Sequence, residues 1–308
     1  MPAPGNRVKP RKMARSPHVL PFAAALAGVA VFSLMDALMK GASLAVGAYS
    51  ALLVRSLIGV TLAAPLWLAT RREWPARDAV RLHVLRGVVG AAMAFSFFWG
   101  LARLPLAEAI ALSFVAPLAA LYLAAVLLGE TIARGAVMAS LLGIVGVAMI
   151  AWARLGSELS HPQAGLGILA ILVSSMLYAW NLVLQRQQAL VARPAEVAAF
   201  QNAVVALVLG LLAPWWLALP DAETIGWIAG AAVLAVTGAM VLSWAYGRAE
   251  AQTLVPLEYS GFLWACLFGW LFFREPVTLP TLAGAVLIVA ACWIAAPRKR
   301  PEQTSGLS

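Results

Sequence analysis

Long apolar stretches alternate with short polar connections from residue 19 to residue 296 of the 308-residue chain. Each stretch holds about 20 mostly apolar residues, the length that a helix needs to cross a hydrocarbon core of about 30 Å. The pattern predicts an all-α polytopic membrane protein with ten transmembrane helices. The predicted spans are 19–39, 49–70, 84–102, 106–128, 134–152, 164–184, 197–218, 225–246, 252–273 and 277–296.

The composition supports a membrane protein. Apolar residues make up 63% of the chain and charged residues only 11%, whereas a soluble domain carries about 25% charged residues. The net charge of +9 does not indicate nucleic-acid binding, because the positive residues lie in the connections between spans. Cys266 and Cys292 both fall inside apolar stretches and are predicted to be packing residues rather than a disulfide.

The distribution of Lys and Arg predicts the orientation. With a cytoplasmic N-terminus, 17 of the 22 Lys and Arg residues lie on the cytoplasmic side and 4 on the other, while Arg55 lies within a span. Both termini are therefore predicted to be cytoplasmic, with residues 1–18 as a disordered basic tail and residues 297–308 as a second tail. The apolar stretch after the first tail is too long for a signal peptide, so it is predicted to be a retained span in the inner cell membrane.

The chain contains an internal repeat. Residues 99–130 correspond to residues 244–275 at a shift of 145, and rare residue types carry the agreement. The matching pairs are Trp99 with Trp244, Arg103 with Arg248, and Glu130 with Glu275. The repeat divides the protein into two five-helix units, residues 19–152 and 164–296. Because five is odd, the second unit starts on the opposite face, which predicts the inverted repeats of secondary transporters.

These features together resemble the EamA branch of the drug/metabolite transporter superfamily. They are the ten spans in two inverted units, the basic connection after span 2, and the glutamates that close spans 4 and 9 at Gly129-Glu130 and Arg274-Glu275. The resemblance implies a central cavity formed by spans 1, 3, 4, 6, 8 and 9, with spans 5 and 10 more peripheral. It also implies export of amino acids and related metabolites.

Spans 1 and 6 each carry one polar stripe at repeat-related positions. The stripes are Ser33, Asp36 and Lys40 in span 1, and Tyr178, Asn181 and Gln185 in span 6. An ionisable residue inside a span is costly and is a functional candidate by default. Asp36 and Lys40 are spaced i, i+4, so an intrahelical ion pair is the alternative. Lys40 is also near enough to the outer surface to snorkel.

Span 9 carries a carboxylate about two turns from its start. Glu258 stands beside Tyr259, and Ser113 occupies the place of Glu258 in span 4. A carboxylate buried in a membrane can exchange protons near neutral pH, so Glu258 is predicted to couple transport to protons or to bind an ammonium group. The alternative is a structural ion pair with Arg248 or Arg55.

Arg55 can hold a substrate carboxylate bidentately or neutralise Asp36. The structural role is favoured because the family resemblance does not place span 2 at the cavity.

Trp99 and Trp244 lie near the ends of spans 3 and 8, where they suit an organic solute or an interfacial aromatic belt. The belt is preferred for the three tryptophans Trp67, Trp215 and Trp216. The predicted solute-binding residues are Asp36, Lys40, Trp99, Ser113, Tyr178, Asn181, Trp244, Glu258 and Tyr259.

Two further features predict local packing. Glu130 and Glu275 are expected to cap corners or to pair with nearby arginines. Gly135, Gly143 and Gly146 in span 5 are expected to let a neighbouring helix approach closely.

The sequence predicts neither a metal site nor a cofactor, because His83 and His161 lie in connections and His18 at the edge of span 1. It contains no nucleotide-binding loop and no clustered catalytic set, which argues against a primary pump and an enzyme. The leading prediction is a secondary transporter, for which a monomer suffices, that exports amino acids or related small metabolites by alternating access. The alternatives are an exporter of lipophilic cations, drugs or another metabolite class, and, in a different class, a passive channel or a membrane enzyme.

Overall fold

The computed structural model describes residues 19–70, 74–116, 119, 134–155, 163–246 and 260–295. These residues form helices and no strands, which confirms the all-α prediction. The helices are α1 (Val19–Thr70), α2 (Arg77–Leu101), α3 (Leu106–Ser113), α4 (Arg134–Leu155), α5 (Ala164–Val191), α6 (Pro194–Gly210), α7 (Ala213–Trp216), α8 (Ala222–Tyr246), α9 (Gly261–Phe273) and α10 (Leu279–Ala295). Predicted spans 1 and 2 correspond to α1, span 3 to α2, span 7 to α6 with α7, and spans 8, 9 and 10 to the helices of the same number.

Four helices in the described ranges are long and apolar enough to cross a membrane: Leu20–Thr70, Arg77–Leu101, Ala164–Asn181 and Ala222–Leu242. The segments Leu141–Ile150, Pro194–Gly210, Gly261–Phe273 and Leu279–Ala290 are apolar but shorter. These helices indicate a membrane protein. The count of ten spans, the inverted repeat and the cytoplasmic termini stay predictions.

Helix α1 is broken at Gly47, where φ is 81° and ψ is 150°. This backbone conformation suits glycine and strains other residues. A straight helix of 52 residues would be about 78 Å long, more than twice the thickness of a hydrocarbon core. The break divides α1 into a first arm before Gly47 and a second arm after it. The first arm therefore continues about two turns beyond the predicted end at residue 39.

The first arm of α1 packs antiparallel against α8. A Cβ added at Gly28 would lie 2.8 Å from the Leu242 side chain, and a Cβ added at Gly41 would collide with the Trp227 ring. The residue numbers rise along one helix while they fall along the other, which defines the antiparallel direction. Both glycines let the two helices approach at distances that a side chain would prevent.

Helices α2 and α5 form a second antiparallel pair. A Cβ at Gly100 would lie 2.8 Å from the carbonyl oxygen of Gly167. Further along, the hydroxyl of Ser174 donates a hydrogen bond to the carbonyl oxygen of Met93 at 2.9 Å. This contact gives the Ser174 hydroxyl a backbone partner.

The second arm of α1 pairs in the same way with α6 and the residues after it. The Tyr49 hydroxyl donates to the carbonyl oxygen of Leu209. The amide of Ala218 donates to the Ser50 hydroxyl at 2.9 Å. At the other end of the two helices, the Arg193 guanidinium donates to the carbonyl oxygen of Thr70 at 3.1 Å.

Helices α4 and α10 meet at two glycines. A Cβ at Gly146 would lie 2.7 Å from the carbonyl oxygen of Gly284, and a Cβ at Gly284 would lie 2.5 Å from the Ile150 side chain. The close approach predicted for Gly146 is therefore confirmed, and its partner is predicted span 10.

The interior of the bundle is filled by apolar side chains such as Met39, Leu52, Leu101, Ile171 and Ile228. Large apolar side chains also cover the outside, as expected for a surface that faces lipid. Examples are Trp152, Leu219, Trp215 and Trp216, and the last two agree with the predicted aromatic belt.

The belt prediction is wrong for Trp67. This side chain is buried, and its ring lies edge-on to Phe200 and Trp74 at centroid distances of 5.2 Å and 5.3 Å. Phe200 on α6 and Trp74 in the connection before α2 cover Trp67, although composition alone places this tryptophan at the interface.

Candidate functional site

Asp36 and Arg55 are brought together by the break in α1. Asp36 lies eleven residues before Gly47 and Arg55 eight residues after it, so the two side chains sit about 16 Å and 12 Å along their arms from the break. The two residues interact electrostatically. Along one straight helix they would be about 28 Å apart, so this interaction shows that the second arm folds back beside the first.

The two charges attract each other without being joined. Within the described ranges, Asp36 and Arg55 take part in no ion pair closer than 4 Å and in no hydrogen bond, and the Arg55 Nε is buried without a hydrogen-bond partner. A buried guanidinium N–H that lacks an acceptor is costly. We call Asp36 and Arg55 the central pair, since each lies several turns along its arm from the break at Gly47.

Lys40 lies one turn from Asp36 on the same arm, but its partners are elsewhere. Its ammonium group is buried, forms an ion pair with Glu275 Oε1, and donates to the carbonyl oxygen of Leu104 at 2.6 Å. Glu275 Oε2 accepts a hydrogen bond from the Leu106 amide at 2.7 Å. We call these four residues the outer closure.

The structure corrects two sequence interpretations at this point. Lys40 does not snorkel to the surface, because 3% of it is exposed. Asp36 and Lys40 form no intrahelical ion pair, because the described partner of Lys40 is Glu275. Glu275 caps a corner, one of the two expected roles, by accepting from the first amide of α3, and its ion-pair partner is Lys40.

Local backbone geometry directs Glu275 toward Lys40. Arg274 ends α9 in the left-handed conformation with φ 55°, an uncommon state for a residue other than glycine. The Glu275 amide then donates to the carbonyl oxygen of Gly269 at 3.2 Å, which turns the chain back over the helix end. A Cβ at Gly269 would lie 3.1 Å from Glu275 Oε2, so this glycine leaves room for the carboxylate.

Glu108 is a buried carboxylate that the sequence interpretation missed. It lies in the first turn of α3, and its Oε1 accepts from the Thr281 hydroxyl at 3.4 Å. Together with Glu275 and Cys266 it lines a small recess between α3, α9 and the start of α10. The sequence signal for this buried carboxylate is that Glu108 lies two positions inside predicted span 4, where an acidic residue is unusual.

A second group of polar side chains lies at the opposite end of the bundle, where α1 ends and α2 begins. The Arg86 guanidinium donates through Nε to Asn181 Oδ1 at 3.1 Å and through Nη1 to Gln188 Oε1. The Gln188 amide group donates to His83 Nδ1, and His83 Nε2 lies 2.9 Å from Glu196 Oε1. We call these five residues the inner network.

The inner network has one consistent direction of hydrogen bonding. Each side chain accepts from the previous one and donates to the next, from Arg86 through Gln188 and His83 to the carboxylate of Glu196. This order places the histidine proton on Nε2, because Nδ1 accepts. The Phe200 ring stacks on the His83 ring at a centroid distance of 4.6 Å.

The prediction that His83 lies in a connection is wrong, and Arg86, which falls within predicted span 3, lies on the same helix. Both residues belong to α2, which begins at Arg77, and His83 is fully buried. The side-chain amides of Asn181 and Gln188 on α5 form hydrogen bonds with Arg86 and His83. The helix can therefore include these polar residues within the bundle. The spacing of His83 and Arg86 by three residues, on one helix face, was the signal that could have revealed the network.

The structure distributes the remaining predicted site residues over several places. Asn181 and Tyr178 both lie near Arg86, since Tyr178 interacts with it electrostatically. The Ser113 hydroxyl donates to the carbonyl oxygen of Ala109 at 2.8 Å, within its own helix. Trp244 is partly exposed on α8. Glu258 and Tyr259 lie outside the described residues.

Trp99 lies beside Arg103 at the end of α2. The Arg103 guanidinium carbon is 3.3 Å from the centroid of the indole ring, and the guanidinium also donates to Trp99 O at 2.8 Å and to Gln163 Oε1 at 2.7 Å. Partial burial lowers the pKa of Arg103 below its ordinary value. These contacts fix the Arg103 side chain at the end of α2.

A helical membrane bundle with charges of opposite sign within its spans is an architecture of solute carriers. The chain belongs to the EamA-like transporter family, whose model matches it twice, over residues 20–152 and 165–296. The resemblance stated from the sequence is thus confirmed.

Curated relatives and a solved structure agree with this assignment. The chain is 29% identical over 264 residues to the pseudopaline exporter CntI of Pseudomonas aeruginosa, which covers 85% of this chain and 90% of that protein. It is 29% identical over 219 residues to an uncharacterized transporter of Helicobacter pylori, covering 67% and 70%. A crystal structure matches with a TM-score of 0.58 at 22% identity, covering 89% of this chain and 96% of the other, which supports the fold.

Proposed function

We propose that the protein exports a small zwitterionic metabolite, an amino acid or a related compound, from the cytoplasm by alternating access. The observation that carries this proposal is the central pair. Asp36 and Arg55 attract each other electrostatically, but no hydrogen bond or ion pair within 4 Å joins them in the described part of the chain. A zwitterion carries an ammonium group that can bind Asp36 and a carboxylate that can bind Arg55.

The chemistry of the central pair favours a zwitterion over the lipophilic cation that is the alternative. An ammonium group of the solute suits Asp36, and its carboxylate suits Arg55, whose Nε lacks an acceptor. A cation without a carboxylate would gain from Asp36 but would be repelled by Arg55 at a similar depth. Solute charges that match both residues offset the desolvation of each.

The outer closure supports a conformational cycle. The ion pair between Lys40 and Glu275 joins the first arm of α1 to the end of α9, and the Leu104 and Leu106 backbone groups tie in the start of α3. On the predicted orientation this end faces away from the cytoplasm. The arrangement therefore corresponds to a state closed to the outside, and release of the solute requires these groups to separate.

The helix pairs support the proposed inverted repeats. The repeat shift relates span 1 to span 6 and span 3 to span 8, so a pair of spans 1 and 8 should be matched by a pair of spans 6 and 3. The first arm of α1 packs antiparallel on α8, and α5 packs antiparallel on α2. The two matches of the family model cover nearly the same residues as the two predicted units.

The direction of transport rests on the relative that is named an exporter and on the family resemblance. Inverted repeats with a solute site between them operate by exposing that site to one side at a time. Export from the cytoplasm through the inner membrane is therefore the direction we propose.

Counterflow in proteoliposomes tests the proposal. Vesicles loaded with a mixed amino-acid pool are challenged with single labelled amino acids, for the wild type, Asp36→Asn, Arg55→Gln and the surface control Arg81→Gln. We expect accumulation in the wild type and the control, and a loss of apparent affinity of about 10-fold or more in the other two, as for hydrogen bonds to charged groups. Absence of accumulation for every amino acid would refute the solute class, and wild-type behaviour of both Asp36→Asn and Arg55→Gln would refute the site.

A further inference from the structure

We propose that Arg86 binds a carboxylate of the solute at the cytoplasmic end of the bundle, before the solute reaches the central pair. This loading site rests on the proposed function for its direction and its solute. Its anion-binding chemistry follows from the inner network alone. The residues that build it, Arg86, Asn181 and Gln188, belong to α2 and α5, whereas the central pair belongs to α1.

Among the described residues, no carboxylate forms an ion pair with Arg86. Its two hydrogen-bond partners are the neutral amides of Asn181 and Gln188. No aspartate or glutamate of the described residues lies within 4 Å of its guanidinium nitrogens. Neutral acceptors orient a guanidinium without cancelling its charge, and a largely buried cation is costly until an anion joins it.

The Arg86 guanidinium also has donors left for a ligand. A guanidinium carries five N–H groups in a planar fork. In contacts with the described residues, one is used on Nε and one on Nη1, which leaves the second hydrogen of Nη1 and both hydrogens of Nη2. These are the hydrogens that bind a carboxylate through two parallel bonds.

The rest of the inner network holds this fork in place. Gln188 is fixed because its amide group donates to His83 Nδ1, and His83 is fixed because it contacts Glu196 and stacks on Phe200. Glu196, the one carboxylate of the network, is engaged by His83 and reaches Arg86 through two intervening side chains. A guanidinium that is oriented in advance binds an anion with little further loss of side-chain entropy.

The position of Arg86 suits a solute that arrives from the cytoplasm. Arg86 lies nine residues, about 13 Å, after the start of α2, at the end of the bundle that the Lys and Arg count places in the cytoplasm. The polar stripe of α5 begins beside it, since Asn181 and Tyr178 both interact with Arg86. A further polar contact on α5 lies at Ser174, about two turns before Asn181, and is therefore farther from the cytoplasmic end.

Chemical protection on the wild-type protein tests the loading site directly. The purified full-length protein is treated with phenylglyoxal, which modifies arginine, and each site is quantified by peptide mass spectrometry in the presence of succinate or of chloride at equal ionic strength. We expect succinate to slow modification of Arg86 at least 3-fold and to leave Arg81 unchanged. Arg81 is a fair control because it lies on the same helix and is exposed beside Asp78.

A binding assay with variants provides the second arm. Succinate should raise the thermal unfolding midpoint of the wild type and of Arg81→Gln in a saturable manner. In Arg86→Gln and in Arg86→Lys the apparent affinity for succinate should fall about 10-fold or more, because lysine keeps the charge but not the fork. An unchanged affinity in both Arg86 variants, or equal protection of Arg81 and Arg86 from phenylglyoxal, would overturn the proposal.

A phospholipid headgroup is the other anion that this end of the bundle meets, and it is tested separately. If phosphatidylglycerol micelles protect Arg86 while succinate does not, Arg86 is a lipid contact and the proposal fails. The outcome is also separable from that of the proposed function. Counterflow without succinate protection contradicts the loading site alone, whereas protection without counterflow contradicts amino-acid transport alone.

Discussion

Lys40 and Glu275 form a largely buried ion pair across 235 positions of the sequence. Each partner also bonds to the backbone that leads into α3, Lys40 through Leu104 and Glu275 through Leu106. Three segments of the chain, the first arm of α1, the end of α9 and the connection before α3, are therefore held together by two side chains. Since a buried charge is stable only with its partner, this pair acts as a single contact that is either fully made or fully open.

Removal of both partners of the outer closure should destabilise the protein less than the sum of the two single removals. Lys40→Met leaves the Glu275 carboxylate without its cation, and Glu275→Gln leaves a buried ammonium, so each variant should lose about 3 kcal/mol of unfolding free energy. The double variant should lose less than the sum of the two, by at least about 1 kcal/mol. Unfolding in a denaturant series on the purified protein gives the three values, and strict additivity would show that the two charges do not interact.

Opening of the outer closure should also expose Cys266. This thiol is half-buried and lines the recess beside Glu275 and Gly269. In a Cys292→Ala background, Glu275→Gln should raise the rate of maleimide labelling at Cys266 about 5-fold or more, because the helix ends that cover it separate more often. The neighbouring change Arg274→Gln serves as the control, since that side chain is exposed. Equal labelling rates in the two variants would contradict a closure held by Glu275.

The sequence could predict the helices and the charges within the spans, because apolar runs and an ionisable residue within them are visible without knowledge of packing. It could not predict the partner of Lys40. The local spacing indicates Asp36, four residues earlier, as the partner. The observed partner is Glu275, which is positioned by the left-handed turn at Arg274. A contact of this range depends on how α1 and α9 pack, which no single stretch encodes.

The inner network was missed for a different reason. Charged and polar residues are expected to mark the ends of spans, so the sequence predicts that His83 lies in a connection. The amides of Asn181 and Gln188 satisfy Arg86 inside the bundle, and the helix therefore extends inward of its first charges. The polar stripe of α5 was recognised at Asn181, but its match on α2 required the antiparallel pairing of the two helices.

Variants of the central pair should lose discrimination at one end of the solute only. Asp36→Asn should reduce the preference for an amino acid over its analogue without an amino group, because the ammonium group loses its charged partner. Arg55→Gln should reduce the preference for the amino acid over its amide, because the carboxylate loses a bidentate partner. Each ratio of apparent affinities, measured by competition in counterflow, should fall about 10-fold. If both variants change both ratios equally, the two residues act through structure rather than through separate contacts.

The crossing of α4 and α10 should reject even a methyl group. A Cβ at Gly146 would lie 2.7 Å from the carbonyl oxygen of Gly284, and backbone cannot move aside as a flexible side chain can. Gly146→Ala should therefore cost about 1–3 kcal/mol of unfolding free energy. Gly226→Ala is the matched control, since nothing lies within 4 Å of a Cβ at that position of α8. A helical glycine in open space gains from the change by about 0.5–1 kcal/mol, so the two substitutions should have opposite signs.

The turn between the arms of α1 should depend on Gly47. Space does not limit this position, because nothing lies within 4 Å of an added Cβ. The limit is conformational, since φ 81° with ψ 150° belongs to a region that is nearly restricted to glycine and costs other residues about 1–3 kcal/mol. Gly47→Ala should lower the thermal unfolding midpoint, and should weaken counterflow as well, because the hairpin sets the relative depth of Asp36 and Arg55. A variant with D-alanine at position 47, introduced by semisynthesis, should restore both, since the mirror-image residue tolerates positive φ. Equal stability of the L-alanine and D-alanine proteins would show that the break does not depend on this conformation.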